Sequence, residues 1–333
     1  MKKAIRGVVL TLVIALLLSA FAVYLVYMDR QSRLSQPETA PSTEAVISRP
    51  AQTEATGQET TEPTEEQTAP PEPFTVTASQ VVVADGLTGE ILYTKDSGYQ
   101  KVYPASVTKL FTAYVALQHL SPYQVITAGK ELEFVEKDSS VAFILEEQQL
   151  TTTMLIEGLL MCSGNDAAYI LATAAGREIA QKWSLSPARA VEVFVEEMNR
   201  QAQELGLHDT HFMNPDGYHM GGHYTSLEDL VRIAQLAMDT PTIARCVMIN
   251  KKDMVFVSGE TITWSNTNLL INPRSKYYMP NACGLKTGHT DQGGYCLLSA
   301  FRQINGYLIV GVFGSLTSDD RFEDTITLAK FFG

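Results

Sequence analysis

The chain has 333 residues, with 37 acidic side chains against 25 Lys and Arg and a formal net charge of −12. That balance repels a phosphate backbone and argues against nucleic acid as a partner. The four cysteines, Cys162, Cys246, Cys283 and Cys296, show no C-x-x-C or other metal-ligand spacing, so no metal is expected and the thiols read as mostly free and packed.

Lys2, Lys3 and Arg6 precede an apolar run from Gly7 to Met28. A helix of that length spans ~30 Å, one hydrocarbon core. The basic flank makes residues 1–6 a cytoplasmic stub and residues 7–28 a transmembrane signal-anchor. The expected location is the cell membrane, single-pass, with the rest of the chain on the extracytoplasmic side. Ala20-Phe-Ala22 leaves an alternative, secretion after signal cleavage near Ala22, although the run stays apolar through Tyr27. Residues 29–73 are rich in Thr, Glu, Gln, Pro, Ala and Ser and nearly lack large apolar side chains. Such a segment buries too little surface to offset its ordering entropy and reads as a disordered linker. Its end-to-end distance is roughly 35–40 Å. Residues 74–333 are long enough for a substantial core and an exported domain in which a disulfide is permitted.

In that domain, Gln80–Ala84 and Glu90–Thr94 read as strands joined by the turn Asp85-Gly-Leu-Thr-Gly89. A helix begins at Pro104-Ala-Ser106 and continues through Leu110, Tyr114, Leu117 and Leu120. Residues 125–244 read as mainly helical, including an amphipathic stretch from Phe194 to Leu205. Asn214-Pro-Asp-Gly217 reads as a turn, and Ser226 as the cap of a helix over Leu227–Met238. Short strands follow at Asp253–Val257 and Thr261–Trp264. Tyr295–Phe301 and Tyr307–Phe313 flank the hairpin signal Asn305-Gly306, and a last helix covers Arg321–Phe331. Strands at both ends with helices between them predict an α+β fold: one antiparallel sheet flanked by helices, with an all-helical lobe beside it.

Three short patterns each occur once, in fixed order: Ser106-Val-Thr-Lys109, Ser163-Gly-Asn165 and Lys286-Thr-Gly288. Ser106 and Lys109 lie one turn apart at a helix start and share a face. A serine needs an adjacent base, and a lysine becomes one only if burial or a second cation lowers its pKa; Lys286 is the expected second cation. Singly, each pattern is an ordinary helix start, helix cap or strand end. Together they form the set found in penicillin-binding proteins and class A β-lactamases.

The segment from Ser79 to Phe332 resembles the serine D-alanyl-D-alanine carboxypeptidases, the low-molecular-weight penicillin-binding proteins of peptidase family S11. The likeness rests on Pro104–Leu110, Leu160–Ala168, Leu205–Phe212, His223–Ser226 and Gly284–Asp291. It implies a β-lactamase/transpeptidase-like fold and a catalytic domain over 74–333 that removes the terminal D-Ala of peptidoglycan stem pentapeptides. By that resemblance Ser106 is the nucleophile, Lys109 its base, and Ser163 the proton shuttle to the leaving amine. Asn165, Lys286, Thr287 and Gly288 bind substrate, and the backbone N–H groups of Ser106 and His289 form the oxyanion hole. No cofactor is implied, and β-lactams are expected as inhibitors. Where some members carry a carboxylate-binding arginine this chain has Thr267, leaving Arg274 and Arg245 as weak candidates.

Class A β-lactamase chemistry is disfavoured, because the second motif lacks the aspartate of Ser-Asp-Asn and no Glu-x-x-Leu-Asn loop occurs. A D,D-endopeptidase on cross-linked peptidoglycan and a non-turnover sensor of β-lactams or wall peptides remain as alternatives. Elsewhere, His219 and His223 are separated by Gly221-Gly222 and do not read as metal ligands. Asp166 reads as a helix cap, Tyr277-Tyr278 as either a substrate contact or a partly exposed strand pair, and Glu131, Glu133 and Glu136 as a solvated face.

Overall fold

The computed structural model describes residues 74–95 and 101–333. The expected stub, signal-anchor and linker lie outside the described residues. Among the described residues, no helix is long and apolar enough to cross a membrane.

Strands β1 (Gln80–Asp85) and β2 (Ile91–Lys95) form the expected hairpin. The Asp85 carboxylate holds its turn by accepting the Leu87 and Thr88 N–H groups at 2.9 and 2.8 Å. A single 3-10 turn, Ala105–Val107, leads into helix α1 (Thr108–His119). The short strands β3 (Val125–Thr127) and β4 (Gln149–Thr151) pair antiparallel. Three residues carry too little alternation to separate a strand from the surrounding helical pattern, and the sequence reading passed over both.

Helices α2 (Thr152–Met161), α3 (Asn165–Ile179) and α4 (Pro187–Glu204) follow. Helix α4 starts well before Phe194, because Ser186 caps it and Pro187 occupies its first turn. Ser226 caps α5 (Leu227–Asp239) as expected, accepting the Asp229 N–H at 3.1 Å. Helix α6 (Pro241–Val247) and the hairpin β5 (Lys251–Val255)–β6 (Thr261–Ser265) complete the middle of the chain.

Strands β7 (Ala282–Thr290), β8 (Gly294–Gln303) and β9 (Gly306–Ser315) precede the last helix, α7 (Ser318–Phe332). A reciprocal cap between Thr317 and Asp320 starts α7 three residues before Arg321. The main sheet runs β2-β1-β9-β8-β7, with every neighbouring pair antiparallel.

Both faces of this sheet are covered, which explains its nearly continuous apolar central strands. Val81, Val83, Leu297, Leu308 and Val310 pack with Phe322 and Leu328 of α7. Val82, Ala84, Leu298, Ala300 and Ile309 point the other way and join Phe111, Leu159 and Phe212 in the helical core. The period-2 alternation thus splits one set of strands between two cores. Edge strand β7 is left facing the start of α1.

Candidate active site

Ser106 lies in the 3-10 turn and Lys109 one turn later, inside α1. The Lys109 Nζ donates to Ser106 Oγ at 2.9 Å and to the backbone oxygen of Asp216 at 2.5 Å. Lys109 is wholly buried, and burial pulls its pKa down to about 8. The carboxylates of Asp216 and Asp166 act in the opposite direction, favouring the ammonium. The expected lowering is therefore present, but its main cause is desolvation rather than Lys286. Repulsion between the two amines is instead felt at Lys286, held well below the usual lysine range by burial, Lys109 and Arg321.

Strand β7 forms one wall. In its register Lys286, Thr287 and Gly288 face Leu298, Leu297 and Cys296 of β8. Lys286 is buried and donates to the Thr287 backbone oxygen at 2.8 Å. The hydroxyls of Thr287 and Thr267 are 2.6 Å apart. A Cβ at position 288 would stand 3.0 Å from the Ala105 Cβ and 3.2 Å from the Ser106 nitrogen. Glycine lets this strand pass directly against the nucleophile's turn. Arg321 reaches in from α7, donating through Nη1 to the Gly288 oxygen and through Nη2 to Ser318 Oγ, each at 3.0 Å. Its Nε is buried with no hydrogen-bond partner among the described residues.

The opposite wall comes from loops of the helical lobe. Ser163 has φ +60°, an unusual value for a side-chain-bearing residue, at the link between α2 and α3. Asn165, the first residue of α3, donates through Nδ2 to Asp216 Oδ2 at 2.6 Å and to Ser139 Oγ at 2.9 Å. The N-cap position of α3 is Gly164 and not Asp166, although Asp166 Oδ1 accepts the first-turn Ala167 N–H at 2.8 Å. Its buried carboxylate also receives the backbone N–H groups of Ala142 (2.9 Å) and Ile144 (3.0 Å), binding the 138–144 loop to the helix. At the mouth, Tyr218 donates to Asp138 at 3.2 Å.

Between these walls lies a cleft of about 510 Å³, lined by Ser106, Ser163, Asn165, Thr287, Gly288 and His289 among others. Lys109 and Lys286 are buried beside it. The structure thus gathers every site residue expected from the sequence into one place. It adds Ser139, Tyr218, Thr267 and Arg321 to the lining. Arg321 brings a guanidinium to the cleft lining, whereas Arg245 and Arg274 do not line the cleft.

His223 is buried and shares a 2.9 Å hydrogen bond with Thr108, and burial lowers its pKa to about 3, so the ring is neutral. Tyr277 is buried and stacked on Phe322 while Tyr278 is exposed, both in an irregular segment rather than a strand, and neither ring lines the cleft. Glu131 is buried too, bonded to the Gly129 N–H at 2.8 Å, so only Glu133 and Glu136 remain solvated. All four thiols are free. Among the described residues, no cluster of His, Cys, Asp or Glu is arranged to hold a metal ion.

The family model for D-alanyl-D-alanine carboxypeptidases, Peptidase S11, matches residues 64–317. The chain belongs to this family. It is 33% identical over 255 residues to the D-alanyl-D-alanine carboxypeptidase of Streptomyces sp. strain K15, covering 74% of this chain and 83% of that one. With DacF of Bacillus subtilis it shares 29% identity over 258 residues, covering 76% of this chain but only 61% of the relative. The crystal structure of the Streptomyces K15 DD-transpeptidase superposes with a TM-score of 0.70 at 31% identity, covering 77% of this chain and 97% of that one. The fold is therefore the β-lactamase/transpeptidase-like one.

Proposed function

We propose that this family member is a serine D-Ala-D-Ala carboxypeptidase that trims peptidoglycan stem pentapeptides through an acyl-enzyme. The observation that carries the proposal is the 2.9 Å contact between Ser106 Oγ and the wholly buried Lys109 amine. A lysine with a pKa near 8 is partly neutral at physiological pH and can accept a proton.

Lys109 takes the Ser106 proton as Oγ attacks the carbonyl of the penultimate D-Ala. The developing oxyanion is received by the backbone N–H groups of Ser106 and His289, both residues of the cleft lining. Ser163 relays a proton to the leaving amine, and the terminal D-Ala departs. Lys286, Thr287 and Arg321 meet the substrate carboxylate, with Gly288 giving the strand its close approach. Both N–H groups of Asn165 are committed to Ser139 and Asp216, so its oxygen is the atom offered to a substrate N–H. Water then hydrolyses the ester; a β-lactam, whose leaving group stays attached, holds Ser106 acylated. The apolar run at 7–28 serves as the membrane anchor, with the catalytic domain outside the cell membrane.

Mass spectrometry of the purified chain incubated with a stem pentapeptide tests the reading. Release of one D-Ala and a transient adduct on Ser106 are expected; unchanged peptide with no adduct would refute it. The Streptomyces K15 likeness favours a second outcome of the same chemistry, transfer of the acyl group to an amine. Adding an amine acceptor measures that partition, and a cross-linked dimer tests endopeptidase action. Membrane fractionation tests the anchor, since full-length protein in the soluble fraction would oppose it.

A further inference from the structure

Asp216 belongs to none of the three motifs, yet it touches two of them. Its backbone oxygen accepts from Lys109 Nζ at 2.5 Å, and its Oδ2 accepts from Asn165 Nδ2 at 2.6 Å. Its Oδ1 accepts the Tyr218 N–H at 3.1 Å. The residue is 1% exposed. Both carboxyl oxygens act as acceptors, the pattern of an ionised group. The turn Asn214–Gly217 is fixed in this position. Asn214 accepts the Gly217 N–H at 2.8 Å, and a Cβ on Gly217 would stand 1.9 Å from the Ala105 oxygen.

We propose that Asp216 is a positioning residue for acyl transfer: its carboxylate fixes Asn165 with the amide oxygen free for substrate, and supplies the countercharge for the Lys109 ammonium formed when Ser106 gives up its proton. The inference rests on the serine–lysine reading above. Moving a proton onto an amine with no access to water creates a buried cation, which is costly without a nearby anion. Burial raises the pKa of the Asp216 carboxyl, whereas Lys109 and the Tyr218 N–H favour its ionised form; as a carboxylate accepting on both oxygens it is such an anion, joined to the base through its own backbone.

Among the described residues, the charges around the pair are few. Asp216, Asp166, Lys286 and His223 act on Lys109 or feel it, and Glu136 and Tyr169 do so with Asp216. Burial makes Lys109 easier to deprotonate, whereas the carboxylates make it harder. Removing the Asp216 charge tips that balance toward the free amine. It also leaves the ammonium of the reacting complex unsupported.

The test is the rate of acylation by a fluorescent penicillin against pH, for the unaltered chain and Asp216→Asn. The acid limb should move about one unit to lower pH. The plateau rate should fall about tenfold or more, and KM for a D-Ala-D-Ala peptide should rise as Asn165 loosens. A limb and plateau that superpose on the unaltered chain would overturn the proposal, as would a limb that moves up. If Asp216→Asn does not fold, Asp216→Glu keeps the charge. A limb left in place with a raised KM supports the inference, and a displaced limb or an unchanged KM overturns it. Absence of Ser106 labelling in the unaltered chain sinks the serine–lysine reading itself. A normal limb indifferent to position 216 sinks only the role of Asp216.

Discussion

The two walls of the cleft are built in opposite ways. On the sheet side, Lys286, Thr287 and Gly288 are consecutive residues of one strand, and the β7–β8 register alone places them. On the helical side, Ser139, the Ser163–Asn165 link and Asp216 come from three separate segments of chain. They are held together by side-chain to side-chain and side-chain to backbone hydrogen bonds, notably those of Asp166 and Asp216. One wall takes its shape from regular secondary structure and the other from buried carboxylates. The first is robust to loss of a single polar group; the second is not.

Substitutions can break or sharpen this contrast. Ser106→Ala removes the nucleophile shared by both walls and should abolish covalent labelling by fluorescent penicillin; persistent stoichiometric labelling would exclude Ser106. Lys109→Ala, on the helical side, should slow acylation about 10³-fold in a folded protein. Near-normal acylation would remove Lys109 as the base. Arg321→Leu, on the sheet side, should raise KM for a peptide ending in a free carboxylate about 10- to 100-fold. It should leave the melting temperature nearly unchanged, and an unaltered KM would disconnect Arg321 from the carboxylate.

Asp166→Ala strips the acceptor from three backbone N–H groups, those of Ala142, Ile144 and Ala167, and should cost roughly 2–4 kcal/mol of stability by denaturant titration. Thr287→Val should cost well under half of that, so equal losses would erase the distinction between the walls. The smallest effect is on pH. Lys109 works in its neutral form, so acylation should rise with pH as the amine deprotonates near 8. Between pH 7 and pH 8 the gain should be about fivefold. A rate that falls over that interval would contradict a lysine base.

The same contrast decides what could be read from the sequence. The sheet wall was legible because its groups are contiguous, and the Ser106–Lys109 pair was legible because one helical turn brings them together. Asp216 was hidden in an Asn-Pro-Asp-Gly turn, which is ordinary turn chemistry in any chain. Arg321 was hidden because only the packing of α7 on the sheet brings it to Gly288. Asp166 was misread as a cap because local sequence favours that role; it does accept the neighbouring Ala167 N–H, but its two other backbone partners lie more than 20 residues away. Glu131 looked solvated because its burial comes from the surrounding loop, which has no period to detect. The β1–β2 and β8–β9 hairpins, the helix cap at Ser226 and the α+β class follow from local patterns, and tertiary contacts only shifted the ends of these elements.

The complete burial of Lys109 has one more consequence. An amine enclosed on all sides meets small dissolved bases and acids only through the oxygen it serves. Raising the concentration of buffer at constant pH should therefore leave the acylation rate flat, with no catalysis borrowed from the medium. The proton becomes an internal store, loaded once per turnover and spent within the same closed compartment.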